Sequence, residues 1–190
     1  KMITDLKHYI FVVKNFYDRR IMQSTIMQLK NIKWDHHKFI SANGQQSAAR
    51  SGENELSISW SDDIKTKDDM QTQLWQVIDM YQKRLDFTWW STWQGYSDMR
   101  FNKYEVNQKM ALHKDHIHSL FDGKRKGIPI LSILIALNDD YEGGDFVMLD
   151  DYRIKLRQGD VLIFPSNFLF PHKVEPVKLG TRYTAISWTW

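Results

Sequence analysis

The chain contains no cysteine. Disulfides and thiolate metal sites are therefore excluded, nothing demands an oxidising compartment, and any bound metal must be held by nitrogen and oxygen. Long apolar runs are also missing. The stretch Tyr9-Ile10-Phe11-Val12-Val13 is too short to cross a bilayer, and no small-residue cleavage site follows it. The expected setting is cytoplasmic, with no membrane partner. Charge is not concentrated either: 26 basic and 23 acidic residues, a net +3, are spread along the chain, which is no strong signal for nucleic acid. There is no internal repeat and no low-complexity tract. What is present is 190 residues, 42% hydrophobic and 14% aromatic, enough for one well-buried core and short for two. The expectation is a single domain over 1–190, in which 1–100 supports a core at 101–190.

The amino-terminal part reads as mixed. Tyr9 to Val13 is strand-like, and Asp18 caps a helix whose apolar positions Met22, Ile26 and Leu29 share a face. Thr66 to Asp69 has the form of a capping box, and Met70, Leu74, Ile78, Tyr81 and Leu85 then recur at helical spacing. These two helices are expected to buttress one face of a sheet. Ser41 to Asn54, rich in Ser, Gly, Asn, Gln and Ala, reads either as a lid over a site or as a disordered connector. Trp89, Trp90 and Trp93 form an aromatic cluster suited to core packing.

From Phe101 onward the pattern changes to short strands. Pro129 to Leu137 is a nearly continuous apolar run, and Phe146 to Leu149, Arg153 to Leu156, Val161 to Phe164, His172 to Val177 and Arg182 to Trp190 follow between turns. About eight strands at this spacing indicate a double-sheet jelly roll or barrel. The fold class is α+β, mainly β, with a jelly-roll core buttressed by amino-terminal helices.

Within those strands stand His113-Lys114-Asp115, then Pro171-His172, then Arg182. Two imidazoles and one carboxylate are the ligand set that leaves three adjacent positions open on Fe(II). If the strand runs through 113–115, His113 and Asp115 face the same side and both reach one ion. Alone, Asp115 also reads as a turn residue and His172 as a surface histidine. Arg182 tips the balance: beginning the last strand, it is expected beside His172 on the neighbouring strand, where a guanidinium grips a carboxylate bidentately. Alternation puts Thr184, Ile186 and Trp188 on the inward face with it. His116 and His118 read as solvent-facing or supporting groups, and His36-His37 as surface.

The segment Tyr104 to Trp190 resembles the catalytic domain of the 2-oxoglutarate and Fe(II)-dependent oxygenases, specifically the prolyl 4-hydroxylase-like branch and its small phage-encoded members. The residues that carry the resemblance are His113-Lys114-Asp115, Leu137-Asn138, Tyr141-Glu142-Gly143-Gly144, Gly159 to Pro165, Pro171-His172 and Gly180-Thr181-Arg182-Tyr183. It implies a double-stranded β-helix. It implies iron on His113, Asp115 and His172, and the distal carboxylate of 2-oxoglutarate on Arg182. It also implies co-substrate contacts from Tyr104 and Ser132 and a substrate contact from Trp188. Ala136 is a departure, since oxygen-sensing prolyl hydroxylases carry a tyrosine before the Leu-Asn pair.

The implied reaction consumes dioxygen and 2-oxoglutarate, releases succinate and carbon dioxide, and hydroxylates an amino-acid side chain, peptidyl proline foremost. Ascorbate is a candidate accessory reductant and a peptide or protein the expected partner. Asp115 favours hydroxylation, since related halogenases replace this carboxylate by a small residue. The alternatives are a free amino acid or another protein residue as substrate, then nucleic-acid demethylation or a non-catalytic jelly-roll binding module. Demethylases of this kind carry an arginine at the position of Trp188.

Overall fold

The computed structural model describes residues 5–40, 46–47, 54–87, 93, 95–115 and 129–190. Nearly all of the candidate lid, together with Trp89, Trp90, His116 and His118, lies outside them. A 3-10 turn at Leu6–Tyr9 precedes β1 (Phe11–Val13) and α1 (Arg19–Leu29). Asp18 starts this helix as predicted, its carboxylate accepting the Arg20 N–H at 2.7 Å. Four short strands follow, β2 (Asp35–His36), β3 (Phe39–Ile40), β4 (Gln46–Ser47) and β5 (Ser57–Ser59).

The next helical stripe departs from expectation in two ways. Thr66 forms no capping bond and has helical backbone angles. Its hydroxyl lies instead 2.6 Å from that of buried Thr25 on α1, which takes the hydrogen bond a cap would have made. The stripe is also broken at Gln73 into α2 (Lys67–Thr72) and α3 (Leu74–Leu85). Thr72 Oγ1 donates to the carbonyls of Asp68 and Asp69, and the Gln73 amide to that of Asp69. Side chains that compete in this way for helix carbonyls loosen the turn. The apolar face survives the break, because Met70, Leu74, Ile78, Tyr81 and Leu85 are all buried.

Among the described residues, the carboxy-terminal half contains strands and no helix. It comprises β6 (Arg100–Tyr104), β7 (Met110–His113), β8 (Leu131–Ala136), β9 (Glu142–Gly143), β10 (Phe146–Met148), β11 (Tyr152–Ile154), β12 (Val161–Pro165), β13 (His172–Val174), β14 (Val177–Leu179) and β15 (Arg182–Thr189). The expected strand from His172 to Val177 is in fact two, since the chain turns over Glu175 and Pro176. A large sheet has the order β1-β12-β8-β15-β6-β5-β2 and a smaller one β11-β10-β13-β7, with antiparallel pairing in both. The pair β9-β14 closes one end. The two sheets face each other as the predicted jelly roll.

Alternation along β8 shows how the molecule is layered. Leu131, Ile133 and Ile135 point outward into an apolar layer with Met22, Leu29, Leu74 and Ile78 of the helices. Leu134 points inward among Phe146, Met148, Leu162, Phe164 and Val174 of both sheets. Covered on both faces, β8 is a continuous apolar run rather than an alternating one. The helices brace the large sheet from outside, and the space between the sheets is left for the site.

Candidate metal centre

In the small sheet, β13 pairs with β7 so that His172 and His113 are directly opposite. Their rings lie 4.2 Å apart between centroids. Each ring is oriented by the chain two residues back: His113 Nδ1 is 2.8 Å from the Ala111 carbonyl, and His172 Nδ1 is 3.1 Å from that of Phe170. Donating Nδ1–H to a carbonyl leaves the Nε2 lone pair as the free ligand atom. Both Nε2 atoms face Asp115 Oδ1, at 3.3 Å from His113 and 3.5 Å from His172. One donor atom from each of the three side chains falls within 4.8 Å of the others.

Asp115 corrects one expectation. The strand ends at His113 and the chain bends, so the shared face of a strand is not what aims the carboxylate. Its second oxygen is held from the large sheet, where Ser132 Oγ donates to Oδ2 at 2.6 Å and Trp188 Nε1 at 3.0 Å. Ser132 and Trp188 are paired across β8 and β15. Oδ2 is thus occupied by two protein donors while Oδ1 is directed at the imidazoles. Phe146 and Phe164 pack on His172 at 5.4 and 5.0 Å and wall off water.

The charges of the triad are coupled. Burial opposes the Asp115 carboxylate, but the charge of His172 and hydrogen bonds from both imidazoles outweigh it and hold its pKa well below the ordinary value. Burial also opposes the His172 imidazolium, and Asp115 outweighs that too, raising the histidine's pKa. His113 goes the other way, lowered by burial and by the charge of His172. A proton and a cation would compete for these same atoms.

Arg182 is not beside His172 as expected. It lies in the opposite sheet, paired with Tyr104, because β15 runs between β6 and β8. The guanidinium is therefore across the core from the triad. It is 1% exposed, sits over the Tyr104 ring at 4.9 Å, and has Nε and Nη1 without a hydrogen-bond partner among the described residues. A buried, unpartnered guanidinium is costly, and a carboxylate is the group that would satisfy it. Asn138 sets its position, Nδ2 donating to the Thr181 carbonyl at 2.7 Å and Oδ1 accepting the Tyr183 N–H at 2.7 Å, one bond on each side of Arg182. Gly144 (φ +62°) lets the side chain pass, since a Cβ there would lie 3.0 Å from Arg182 Cδ.

Two more polar groups stand on this wall. Asn102 and Thr184 are opposite each other, two pairs along from Tyr104 and Arg182. Both are buried, with Asn102 Nδ2 and Thr184 Oγ1 unpartnered. Alternation did put Thr184 inward, but only the strand pairing brings Asn102 beside it. Tyr104 is buried, its hydroxyl 3.7 Å from the Met110 sulfur. The cavity at the triad has a volume of about 20 Å³, room for about one water. A neighbouring cleft of about 400 Å³ is bordered by Arg182, and Phe146 stands between the two spaces. The donor set thus fits a divalent cation with open positions and, opposite it, an oxyacid.

His37 is a third correction. It is buried rather than on the surface, with Nδ1 3.8 Å from Glu55 Oε2 and its ring 4.7 Å from that of Phe39, which lies 5.6 Å from His113. Glu55, which no sequence pattern marks, accepts the Ala111 N–H and thereby braces β7. His36 is exposed, and Trp93 stacks on Tyr96 at 5.9 Å beside the helical core.

Residues 99–190 match the family model described as the 2OG-Fe(II) oxygenase superfamily. In sequence, the chain is 36% identical over 94 residues to a PKHD-type hydroxylase of Acinetobacter baumannii, covering 46% of this chain and 40% of the relative. A PKHD-type hydroxylase of Delftia acidovorans is 32% identical over 96 residues, covering 47% and 42%. The chain thus spans about two fifths of the length of these curated relatives. In structure, a Trichoplax adhaerens prolyl hydroxylase in complex with a hypoxia inducible factor peptide fragment superposes with a TM-score of 0.71 at 16% identity, over 96% of this chain and 84% of that one. A Pseudomonas putida prolyl-4-hydroxylase superposes with a TM-score of 0.67 at 16% identity, over 96% and 92%. At these identities the structural likeness establishes the fold.

Proposed function

We propose, from the match of residues 99–190 to the 2OG-Fe(II) oxygenase superfamily model, that this chain is an Fe(II)- and 2-oxoglutarate-dependent dioxygenase. Its reaction hydroxylates an amino-acid side chain, peptidyl proline first, and releases succinate and carbon dioxide. His113, Asp115 and His172 hold the iron, and Arg182 receives the distal carboxylate of 2-oxoglutarate. Once bound, the ferrous ion and the keto-diacid together supply the activation of dioxygen from which a C–H bond takes its oxygen atom.

The chain's own residues then have distinct tasks. The carbonyls of Ala111 and Phe170 keep the imidazoles turned with Nε2 inward. Ser132 and Trp188 occupy Asp115 Oδ2, so Oδ1 is the oxygen that would hold the metal. Tyr104 lies under the Arg182 guanidinium, and Asn138 fixes the backbone on either side of it. Phe146 and Phe164 exclude water from His172.

One observation supports this reading above the rest: Arg182 is buried with two free nitrogens on the wall facing a His-Asp-His cluster. A binding module has no use for an oxyacid anchor there. A peptide substrate is favoured by the Trichoplax neighbour, which holds a peptide fragment. No helix among the described residues is long and apolar enough to cross a membrane, and a cytoplasmic setting is part of the proposal. The test is incubation with Fe(II), 2-oxoglutarate, dioxygen and proline-containing peptides. A peptide that gains one oxygen with matching succinate is the expected result. Absence of succinate from iron-loaded protein would contradict the reading.

A further inference from the structure

Among the described residues two arginines face the interior between the sheets, and the proposed reaction uses one. The other, Arg100, begins β6 opposite Ile186, on the same inward face as Asn102 and Tyr104. It is 9% exposed, lies over the Trp188 ring at 5.1 Å, and borders the cavity lined by His113, Asp115, Ser132 and His172. Among the described residues its single hydrogen bond runs from Nε to Asn102 Oδ1 at 3.1 Å. No described carboxylate forms an ion pair with it. Burial pulls its pKa down, and the charges of Tyr104 and Asp115 act the other way without restoring it.

Charge balance makes this cation notable. With the site loaded, the two positive charges of a ferrous ion and the one on Arg182 are cancelled by Asp115 and the two carboxylates of the keto-diacid. Arg100 is the charge left over, in a poorly hydrated place where an unpaired cation is costly. Beside it, Trp188 lies 6.3 Å from Trp60, which is 46% exposed. The two indoles lead from solvent to Arg100 as an aromatic wall.

We infer that Arg100 is a substrate-binding residue for a carboxylate, so that the acceptor carries an acidic group near the carbon that is hydroxylated and lays its apolar part against Trp188 and Trp60. This rests on the dioxygenase reading and narrows its substrate class. The carboxylate has two sources with the same chemistry: the α-carboxylate of a free or chain-terminal amino acid, or an acidic side chain adjacent in a peptide. A guanidinium binds either bidentately, whereas the matching amide cannot neutralise it.

The test is calorimetry on protein loaded anaerobically with Fe(II) and 2-oxoglutarate, so that nothing turns over. The probes are L-proline against L-prolinamide, and N-acetyl-Gly-Pro-Glu-amide against N-acetyl-Gly-Pro-Gln-amide. In at least one pair the acid should bind about tenfold or more tighter than the amide, and which pair does so identifies the source. Arg100→Gln should abolish that difference, and Arg100→Lys, which keeps the charge and guards against a folding defect, should retain part of it. Equal binding of acid and amide, or binding of neither, overturns the inference, as does a preference that persists in Arg100→Gln. Failure of the wild-type protein to take up 2-oxoglutarate on loading would instead overturn the dioxygenase reading, and is seen before any probe is added.

Discussion

Asp115 divides its two oxygens between the sheets, Oδ1 toward both imidazoles and Oδ2 toward Ser132 and Trp188. Groups that orient a ligand in this way are typically worth 10–100-fold in metal affinity. Ser132→Ala should therefore weaken Fe(II) binding by about tenfold or more with the fold intact, as measured by anaerobic equilibrium dialysis beside circular dichroism. The coupled charges give a pH signature. His172 has its pKa raised above the ordinary 6.5 in the metal-free protein, so a proton competes with the cation on the acid side of that raised value. Metal affinity should begin to fall on acidification already above pH 6.5, by up to about tenfold per pH unit. In the metal-free protein the raised His172 stabilises below 6.5 and ceases to as pH rises through its folded value. The depressed Asp115 stabilises above the ordinary 3.8 and ceases to as pH falls through its own. Both contributions are in place between those two values. At this scale His113, His172 and Arg182 stood out as candidates only in combination and through the family resemblance, since His172 alone reads as a surface histidine. Arg100 and Asn102 did not, since their inward position depends on the pairing of β6 with β15, which no local pattern encodes.

At the level of elements, β15 is aimed by its connections. Asn138, just beyond β8, brackets Arg182 with two bonds to the backbone. Asn138→Ala should leave iron binding near wild type and raise the KM for 2-oxoglutarate by roughly thirtyfold, as expected when two hydrogen bonds of about 1 kcal/mol each are lost at a positioning residue. Steady-state kinetics with varied 2-oxoglutarate, set beside metal titration, separates this from general damage. Strands were easy to read wherever both faces are buried, as along β8 and β12, since an uninterrupted apolar run between turns has few other uses. The break at Gln73 and the failed cap at Thr66 were not legible. Each arises from side-chain bonds, Thr72 to two carbonyls and Thr66 to Thr25, that compete with the regular pattern. The bend after His113 was missed because Lys114-Asp115 reads equally well as strand or turn.

In the molecule as a whole, one apolar layer joins the helices to the outside of the large sheet, and a second fills the space between the sheets around the site. Leu74, fully buried in the outer layer, tests whether the amino-terminal helices are integral to the fold. Leu74→Ala should cost about 2–5 kcal/mol in denaturant unfolding and lower the stability of the whole chain in a single transition. The jelly roll was foreseeable from the number and spacing of strands. The placement of Arg182 across from His172, instead of beside it, follows from strand order and could not be foreseen from spacing. The central claim is that three side chains converge on one ferrous ion and that Arg182 holds a diacid opposite them. Anaerobic measurement of Fe(II) and 2-oxoglutarate bound per chain tests it most directly. The account predicts one of each in the wild type, with 2-oxoglutarate uptake dependent on the metal, lost iron in His172→Ala, and retained iron without 2-oxoglutarate in Arg182→Ala. Stoichiometric iron in His172→Ala, or undiminished 2-oxoglutarate uptake in Arg182→Ala, would contradict it.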